Sequence, residues 1–314
     1  MKYYARKTIS FVVSLFVITA ITFGALQILP GDPALLVLGT EGDPMAVEIL
    51  REKLGLDDPP LTRYFKWISG VFKGDFGESI RYSTPVSVLL KNAIPVTLSL
   101  AFFSVLLAVL IAIPLGITCA VKKGSAWDSF GLIFSQLGMA MPPFWLGILL
   151  INFFAVKLGL FPPGGFVSVT TTGVGPFLSS LFLPALALSL PRAAILARMV
   201  RASILQTLDQ DYIRTARSKG LPHYLVLYKH ALRNASVNIF TVAGIQLTQL
   251  LAGTIVIEQV FSLPGLGQLL LNGVLQRDLP LVQGLVVVGA GLILFSNLIF
   301  DSILGVIDPR IRLD

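Results

Sequence analysis

The hydrophobic positions of this chain fall into long runs that are almost free of charge. Six runs reach the roughly 20 residues that a helix needs to cross the hydrocarbon core of a membrane, at a rise of about 1.5 Å per residue. They are residues 8–29, 96–121, 130–156, 178–200, 237–257 and 285–307. We therefore predict an all-α membrane protein with six transmembrane helices.

Prolines interrupt two of these runs. Pro142 and Pro143 lie in the third run and Pro191 lies in the fourth. Proline removes a backbone N–H and crowds the preceding turn, but a helix bundle can satisfy the freed carbonyls. We expect a kink in both helices.

The polar positions define an insertion between the first two runs. Residues 31–95 carry mixed charge, with an amphipathic helix predicted around Pro44 to Leu54. We expect Trp67, Phe72 and Phe76 to bury this insertion against the outer ends of the spans, because aromatic side chains provide large apolar areas. No internal repeat or linker divides the chain, so residues 1–314 are predicted to form one membrane domain.

Composition and charge support a membrane location and exclude a nucleic-acid-binding role. The chain is 54% hydrophobic and 13% charged, against about 25% charged residues in soluble domains. The net charge of +7 comes from basic residues that cluster beside the apolar runs. Such clustering marks the cytoplasmic side, so we expect a multi-pass protein of the cytoplasmic (inner) membrane with both termini inside. Cys119, the single cysteine, excludes an internal disulfide.

Residues 201–236, between the fourth and fifth runs, form a basic cytoplasmic element. Asp209 or Asp211 is expected to cap a helix, because a carboxylate there accepts from free backbone N–H groups. The run Lys219-Gly220-Leu221-Pro222 predicts the helix end, since glycine can take a positive φ and proline stops the helix. A second helix is expected over residues 223–234. A basic loop held near lipid headgroups is the alternative for this element.

The element resembles a known motif. Residues 212–221, YIRTARSKGL, followed by residues 230–235, HALRNA, are similar to the EAA-type coupling loop of ABC-importer permeases in the dipeptide/oligopeptide/nickel branch. Arg214-Thr215-Ala216 stands where the general motif has Glu-Ala-Ala, and Arg233 stands where it has proline; the peptide branch is similar in both. Further fragments match in order: residues 30–33 (PGDP), 54–57 (LGLD), 74–77 (GDFG), 141–145 (MPPFW), 261–267 (FSLPGLG), 277–280 (RDLP) and 308–312 (DPRIR).

The resemblance implies a permease subunit of an ATP-driven importer that moves dipeptides or oligopeptides. It implies these partners: a second homologous permease, two ATP-binding subunits and an extracytoplasmic substrate-binding protein, in membrane lipid and without nucleic acid. The residues expected to couple to the ATPase are Asp211, Tyr212, Arg214, Thr215, Ala216, Arg217, Lys219 and Gly220. ATP and magnesium belong to the partner subunits, because this sequence contains no G-x-x-x-x-G-K-[ST] phosphate loop. We predict no enzyme activity and no cofactor on this chain.

Polar and adaptable side chains inside the spans are the candidates for a substrate pathway, since buried polar groups in lipid are costly. The candidates are Gly138, Met139, Met141, Phe144, Arg192, Gln246 and Gln249. For the amides, interhelical hydrogen bonds are an equal alternative, and core packing is an equal alternative for residues 135–144. Arg192 could snorkel, pair with Asp301 or face the channel and bind a peptide carboxylate.

Two further features of the sequence bear on these candidates. Glu258 and residues 261–267 could form an outer gate, a docking rim or a folded loop. Only Asp301 is a carboxylate inside the predicted spans, and His223 and His230 both lie on the cytoplasmic element, so neither an intramembrane di-aspartyl protease nor a histidine metal cluster is supported. A nickel or metal-chelate importer and an ATP-independent secondary carrier remain the alternatives, although a carrier would be expected to show repeats or midplane carboxylates.

Overall fold

A computed structural model describes residues 2–28, 44–54 and 57–307, and these are mostly helical. The helices are α1 (Lys2–Ile28), α2 (Pro44–Leu54), α3 (Pro60–Phe72), α4 (Val86–Val121), α5 (Ala126–Ala140), α6 (Pro143–Leu150), α7 (Val169–Thr172), α8 (Val174–Leu208), α9 (Asp211–Ser218), α10 (His223–Leu225), α11 (Leu232–Val260), α12 (Leu266–Leu275) and α13 (Leu279–Ile307). Two π-helical segments, Ile151–Lys157 and Val226–Ala231, continue α6 and α10. The predicted all-α class omits one short ribbon, in which β1 (Glu78–Ser79) pairs antiparallel with β2 (Thr84–Pro85).

The described residues include four helices that are long and apolar enough to cross a membrane. They are Arg6–Gln27, Val86–Val121, Val174–Leu208 and Leu279–Ile303, and the bent pair Ala126–Ala140 with Pro143–Lys157 adds a fifth if the pair is counted as one span. The predicted fifth run falls inside α11, where several side chains are outside the described residues. Also outside them lie residue 29, the motif at 30–33, Gly55-Leu56 and the motif at 308–312.

The third predicted span is broken rather than kinked. Its two halves meet at 103°, at Met141 (φ −85°, ψ 121°) and Pro142 (φ −63°, ψ 137°). The residue before a proline is pushed out of the helical region, and two prolines in sequence leave two backbone N–H groups missing. Helix α8, by contrast, continues through Pro184 and Pro191 as one helix of 35 residues, so Pro191 causes no break in the fourth span.

The chain divides into two compact units, Met1–Val96 with Pro264–Leu298 and Thr97–Leu263 with Ile299–Asp314. In the first unit, α3 packs on α1 through aromatic side chains. Trp67 stacks on Phe23 with ring centroids 6.0 Å apart, and the buried Tyr64 hydroxyl lies 2.9 Å from the Thr19 hydroxyl.

The prediction that Phe72 helps to bury the insertion is wrong, since Phe72 is 86% exposed. The side chains of α3 that contact α1 include Tyr64 and Trp67, which are three residues apart on one helix face. Position 72 is five residues after Trp67, about 140° around the helix. Phe76, by contrast, is half-buried and packs on the cluster of Val86, Leu90 and Leu281.

A buried carboxylate holds the ribbon of the first unit against the start of α13. Asp278 is 1% exposed and accepts hydrogen bonds from the Ser79 hydroxyl at 2.5 Å and from the Arg81 N–H at 3.1 Å. Its other oxygen accepts from the Leu281 N–H at 3.2 Å, which satisfies a free donor in the first turn of α13. The fragment at 277–280 is therefore bonded to the ribbon, which directly follows the fragment at 74–77.

In the second unit, α8 is the central helix and packs against α5, α6 and α11. Small residues allow the close approach, because a Cβ on Gly138 of α5 would lie 2.5 Å from the Ala194 Cβ of α8. A Cβ on Gly116 of α4 would likewise lie 2.7 Å from the Ala197 carbonyl oxygen. In membranes, small residues at helix crossings permit this backbone contact, which gives dense van der Waals packing. Ala193, Leu196 and Val200 complete this core on the α8 side.

Candidate coupling element and translocation pathway

Helix α9 is short, and it begins and ends without a side-chain cap. Its N-cap is Gln210, in an extended conformation without a side-chain capping bond. Neither Asp209, which ends α8, nor Asp211, which is the first residue of α9, takes the capping position that the sequence predicted. Asp211 still places a carboxylate in the first turn, where it complements the helix dipole.

The C-terminal end of α9 is as predicted from Lys219-Gly220. Gly220 has a φ of +76°, its N–H donates to the Arg217 carbonyl at 2.9 Å and the next N–H, of Leu221, donates to the Ala216 carbonyl at 3.4 Å. This pair of bonds is the Schellman motif, which uses a left-handed residue to satisfy the last carbonyls of a helix. The Schellman bonds at Gly220 therefore define where α9 ends.

The two faces of α9 differ sharply. Ile213 and Ala216 are buried and pack against Val226, Ala231 and Leu208. The remaining predicted coupling residues are exposed, namely Asp211, Tyr212, Arg214, Thr215, Arg217, Lys219 and Gly220. Ala216 thus anchors the helix, and Ile213, which the motif comparison did not single out, does the same.

The second helix of the element is not a separate piece. The predicted helix at 223–234 begins at His223, passes through the π-helical segment Val226–Ala231 and continues without a break into α11. Asn234 donates to the Tyr212 hydroxyl at 2.6 Å, so the two halves of the quoted motif are bonded to each other. The hydrogen bond and the apolar contacts hold α9 on the start of α11.

A buried ion pair lies at the N-terminal end of α5, and the sequence reasoning missed it. Arg201 donates from Nε to Asp128 Oδ1 at 2.6 Å and from Nη2 to Oδ2 at 2.8 Å, and the Asp128 side chain is only 6% exposed. The Gly124 N–H donates to the same carboxylate at 2.9 Å. Arg201 falls at the start of the predicted basic element 201–236, and nothing in the sequence relates two positions 73 residues apart.

Three of the predicted pathway residues meet across α8 and α11. Arg192 donates from Nη1 to Gln246 Oε1 at 2.9 Å and to Gln249 Oε1 at 2.8 Å, and from Nη2 to the Gln249 carbonyl at 3.4 Å. Both amides therefore make the interhelical bonds that were one of their two alternatives. Of the described residues, Gln246 and Gln249 are the hydrogen-bond partners of Arg192, and Asp301 is not.

The remaining pathway candidates lie around the break between α5 and α6. Gly138 is buried at the contact with Ala194, which is the packing role that was its alternative. Met139 is 41% and Phe144 is 45% exposed, and Met141 is half-buried at the bend. The structure does not bring these side chains to Arg192 by any described hydrogen bond or ring contact.

The segment after α11 is folded inward. Glu258 is fully buried and accepts from the Thr97 hydroxyl at 2.7 Å, so it does not line an exposed rim. Phe261 is buried as well, and its carbonyl accepts from the Gly165 N–H at 2.8 Å. With Leu263 also buried, a folded loop describes this segment better than an exposed docking rim.

The comparisons with known proteins identify the family. The sequence family described as "Binding-protein-dependent transport system inner membrane component" matches residues 112–313, and its N-terminal counterpart matches residues 1–101. The chain belongs to this family. The resemblance to ABC-importer permeases of the peptide branch is therefore confirmed, and the apolar helices are those of a multi-pass inner-membrane component.

Relatives of this inner-membrane component extend over nearly its full length. The oligopeptide transport system permease protein AppB of Bacillus subtilis is 39% identical over 313 residues, which cover 99% of both chains. The glutathione transport system permease protein GsiC of Escherichia coli K12 is 36% identical over 312 residues, again 99% of both. These relatives are named as transport permeases and not as enzymes.

A solved structure shares the fold of this inner-membrane component. A chain of the MetNI methionine ABC transporter, in an inward facing conformation, covers 70% of this chain and 96% of its own length with a TM-score of 0.58. At 21% identity the likeness concerns the fold alone. Among the residues that the structure describes, no three His, Cys, Asp or Glu side chains come close enough to hold a metal ion.

Proposed function

We propose that this chain is the permease subunit of an ATP-driven importer that moves dipeptides or oligopeptides across the cytoplasmic membrane. The observation that carries the proposal is the identity of 39% and 36%, over 99% of each chain, with permeases named for oligopeptide and glutathione transport. The cargo is then a short peptide, and a metal chelate or an ATP-independent carrier mechanism is the alternative.

In this proposal α9 is the coupling helix and binds a cytoplasmic ATPase subunit. Its exposed face carries Arg214, Arg217 and Lys219. Ile213 packs on the π-helical segment Val226–Ala231, and the bond between Tyr212 and Asn234 links α9 to α11. A helix held in this way can transmit a displacement to α8 and α11, which continue from its two ends. Alternating access through movement of whole helices is the usual mechanism of such importers.

The proposal also includes the assembly and the orientation. The permease has six spans, acts as one domain with its termini on the cytosolic side, and pairs with a homologous permease, two ATP-binding subunits and an extracytoplasmic binding protein. ATP and magnesium are held by the ATP-binding subunits. The substrate pathway passes Arg192, Gln246 and Gln249, together with the exposed side chains of Met139 and Phe144.

Replacement of Gly220 by valine tests the coupling role. No atom lies within 4 Å of a Cβ at this position, so the substitution acts through the φ of +76°. A left-handed conformation costs an L residue about 1–2 kcal/mol and costs a β-branched residue more. We expect Gly220→Val to alter the end of α9 and to abolish both peptide uptake and co-purification of the ATPase, while membrane insertion is unchanged.

Gly159→Val is the matched control. Gly159 has a φ of +63° and also has no atom within 4 Å of a Cβ, but it lies in the loop after the π-helical segment Ile151–Lys157. The control should keep ATPase association and uptake near the wild-type level. Retained ATPase association in Gly220→Val, with uptake intact, would contradict the coupling role of α9.

A further inference from the structure

Among the described residues, the partners of Arg192 bind one edge of its guanidinium group. Nη1 donates to the side-chain oxygens of Gln246 and Gln249, and Nη2 donates once, to the Gln249 carbonyl. A guanidinium has five N–H donors, so the Nε–H and the second Nη2–H have no acceptor among the described residues. These two donors lie side by side on the same edge of the group.

Arg201 shows what this edge binds in the same protein. Its Nε and Nη2 hold the two oxygens of the Asp128 carboxylate at 2.6 and 2.8 Å. Such parallel bonds between a guanidinium and a carboxylate are short and strong. Arg201 uses for Asp128 the same edge that has no acceptor at Arg192 in the described part of the chain.

The position of Arg192 makes the open edge unusual. Arg192 lies nine residues before Arg201 on α8, which places it about 13 Å further along the helix axis, within a span of the membrane. It is partly exposed, and no described carboxylate lies within the 4.0 Å of an ion pair. A guanidinium at this depth is costly if it faces lipid, so its exposed side is expected to face a water-filled path or another protein chain.

A small apolar recess lies beside Arg192. Its volume is about 20 Å³, which is room for about one water molecule. The recess is lined by Val105, Ala108, Val109, Leu196, Ala243 and Leu250, in addition to Arg192 and Gln246. Because its walls are apolar atoms, the recess is lined by the aliphatic stem of Arg192 and is not itself a site for a charged group.

We propose that the open edge of Arg192 binds the carboxylate of the transported peptide, with Gln246 and Gln249 fixing the orientation of the guanidinium. The terminal carboxylate is the group that all peptides share whatever their side chains, so one arginine can serve many sequences. This inference rests on the proposed function, because it assumes that peptides are the cargo.

The test compares a short peptide with its C-terminal carboxamide. The full importer, assembled from this permease and its partner subunits, is reconstituted in vesicles and uptake of both compounds is measured for each variant. The binding protein is the same in every assembly, so its own preference cancels in the variant-to-wild-type ratio. Arg192→Gln should lower uptake of the free acid by about tenfold or more, the range of a hydrogen bond to a charged group, and should lower uptake of the carboxamide much less.

Gln249→Glu is the second variant, because it is nearly isosteric and keeps the packing. The new carboxylate would pair with Arg192 and compete with the substrate, so uptake of the free acid should again fall more than uptake of the carboxamide. Arg198→Gln is the matched control: Arg198 is an exposed arginine on the same helix, and its loss should leave the acid-to-amide ratio unchanged.

The possible results separate this inference from the proposed function. Equal loss of both compounds in Arg192→Gln and in Gln249→Glu, or no loss of either, would overturn the carboxylate role while peptide transport stands. A wild-type importer that moves neither compound would overturn the proposed function and this inference with it.

Discussion

Removal of one partner of the ion pair between Asp128 and Arg201 should destabilise the protein strongly. The Asp128 side chain is 6% and the Arg201 side chain 20% exposed, and both carboxylate oxygens accept from the guanidinium. Loss of one partner from a buried pair costs about 3–5 kcal/mol, because the other charge stays buried without compensation. Asp128→Ala also removes the acceptor of the Gly124 N–H.

The two single variants should differ in how much stability they lose. An arginine side chain is long and can move its charged end toward water, and Arg201 is the more exposed partner. Arg201→Ala leaves a short carboxylate that cannot reach solvent, so we expect it to cost more than Asp128→Ala. The double variant Asp128→Leu with Arg201→Met removes both charges, and replacement of a buried pair by apolar side chains is often neutral or stabilising.

The assay measures the thermal midpoint of the purified permease in detergent. The readout is the fraction of protein that stays monodisperse as the temperature rises. With about 2–4 °C per kcal/mol, each single variant should lose roughly 6–20 °C. The control is Asp58→Ala, which breaks the exposed pair with Lys66 at 3.4 Å. An exposed pair contributes about 0–1 kcal/mol, so the control should change the midpoint little.

The result that would refute this reasoning is a loss in Asp128→Ala no larger than the loss in Asp58→Ala. A double variant as unstable as the single variants would also refute it, because the unpaired charge would then not be the source of the lost stability.

Two further predictions concern backbone contacts in the two units. Gly164→Ala should lower the thermal midpoint by several degrees, because a Cβ there would clash with the Phe261 carbonyl oxygen. Gly175→Ala is the control and should not lower the midpoint, since no atom lies within 4 Å of a Cβ at that position. Equal midpoints in the two variants would contradict the close contact. Asp278→Ala should cost about 1–3 kcal/mol, since the Ser79 hydroxyl and two N–H groups lose their acceptor, and should increase protease cleavage within residues 78–85. Unchanged cleavage would show that Asp278 does not hold the ribbon.

Local features of the fold could be predicted from the sequence because their signals lie close together in the chain. The helix Pro44–Leu54 begins and ends where its amphipathic pattern predicted. The end of α9 was predicted from Gly220 and Pro222, because only a few residue types tolerate these positions. The burial of Phe72 was predicted wrongly, since composition marks an aromatic residue as apolar but does not say which face of a helix is covered.

The contacts between helices could be predicted only in part. Arg192, Gln246 and Gln249 were each noticed as polar groups in apolar runs, but the sequence left their pairing open. The pair of Asp128 and Arg201 left no local signal, because its members are 73 residues apart in the sequence. The break at Pro142 was underestimated, since the sequence shows that backbone donors are missing but not how far the chain turns.

Helix α8 connects Arg192 to the start of α9 through one uninterrupted helix. From Arg192 to its last residue, Leu208, it extends about 24 Å at about 1.5 Å per residue, and α9 begins three residues later. Because close contacts at Gly116 and Gly138 hold neighbouring helices against its main chain, a displacement at the Leu208 end would shift the Arg192 guanidinium directly. No chain of switching side chains is then needed to carry the signal from one end to the other.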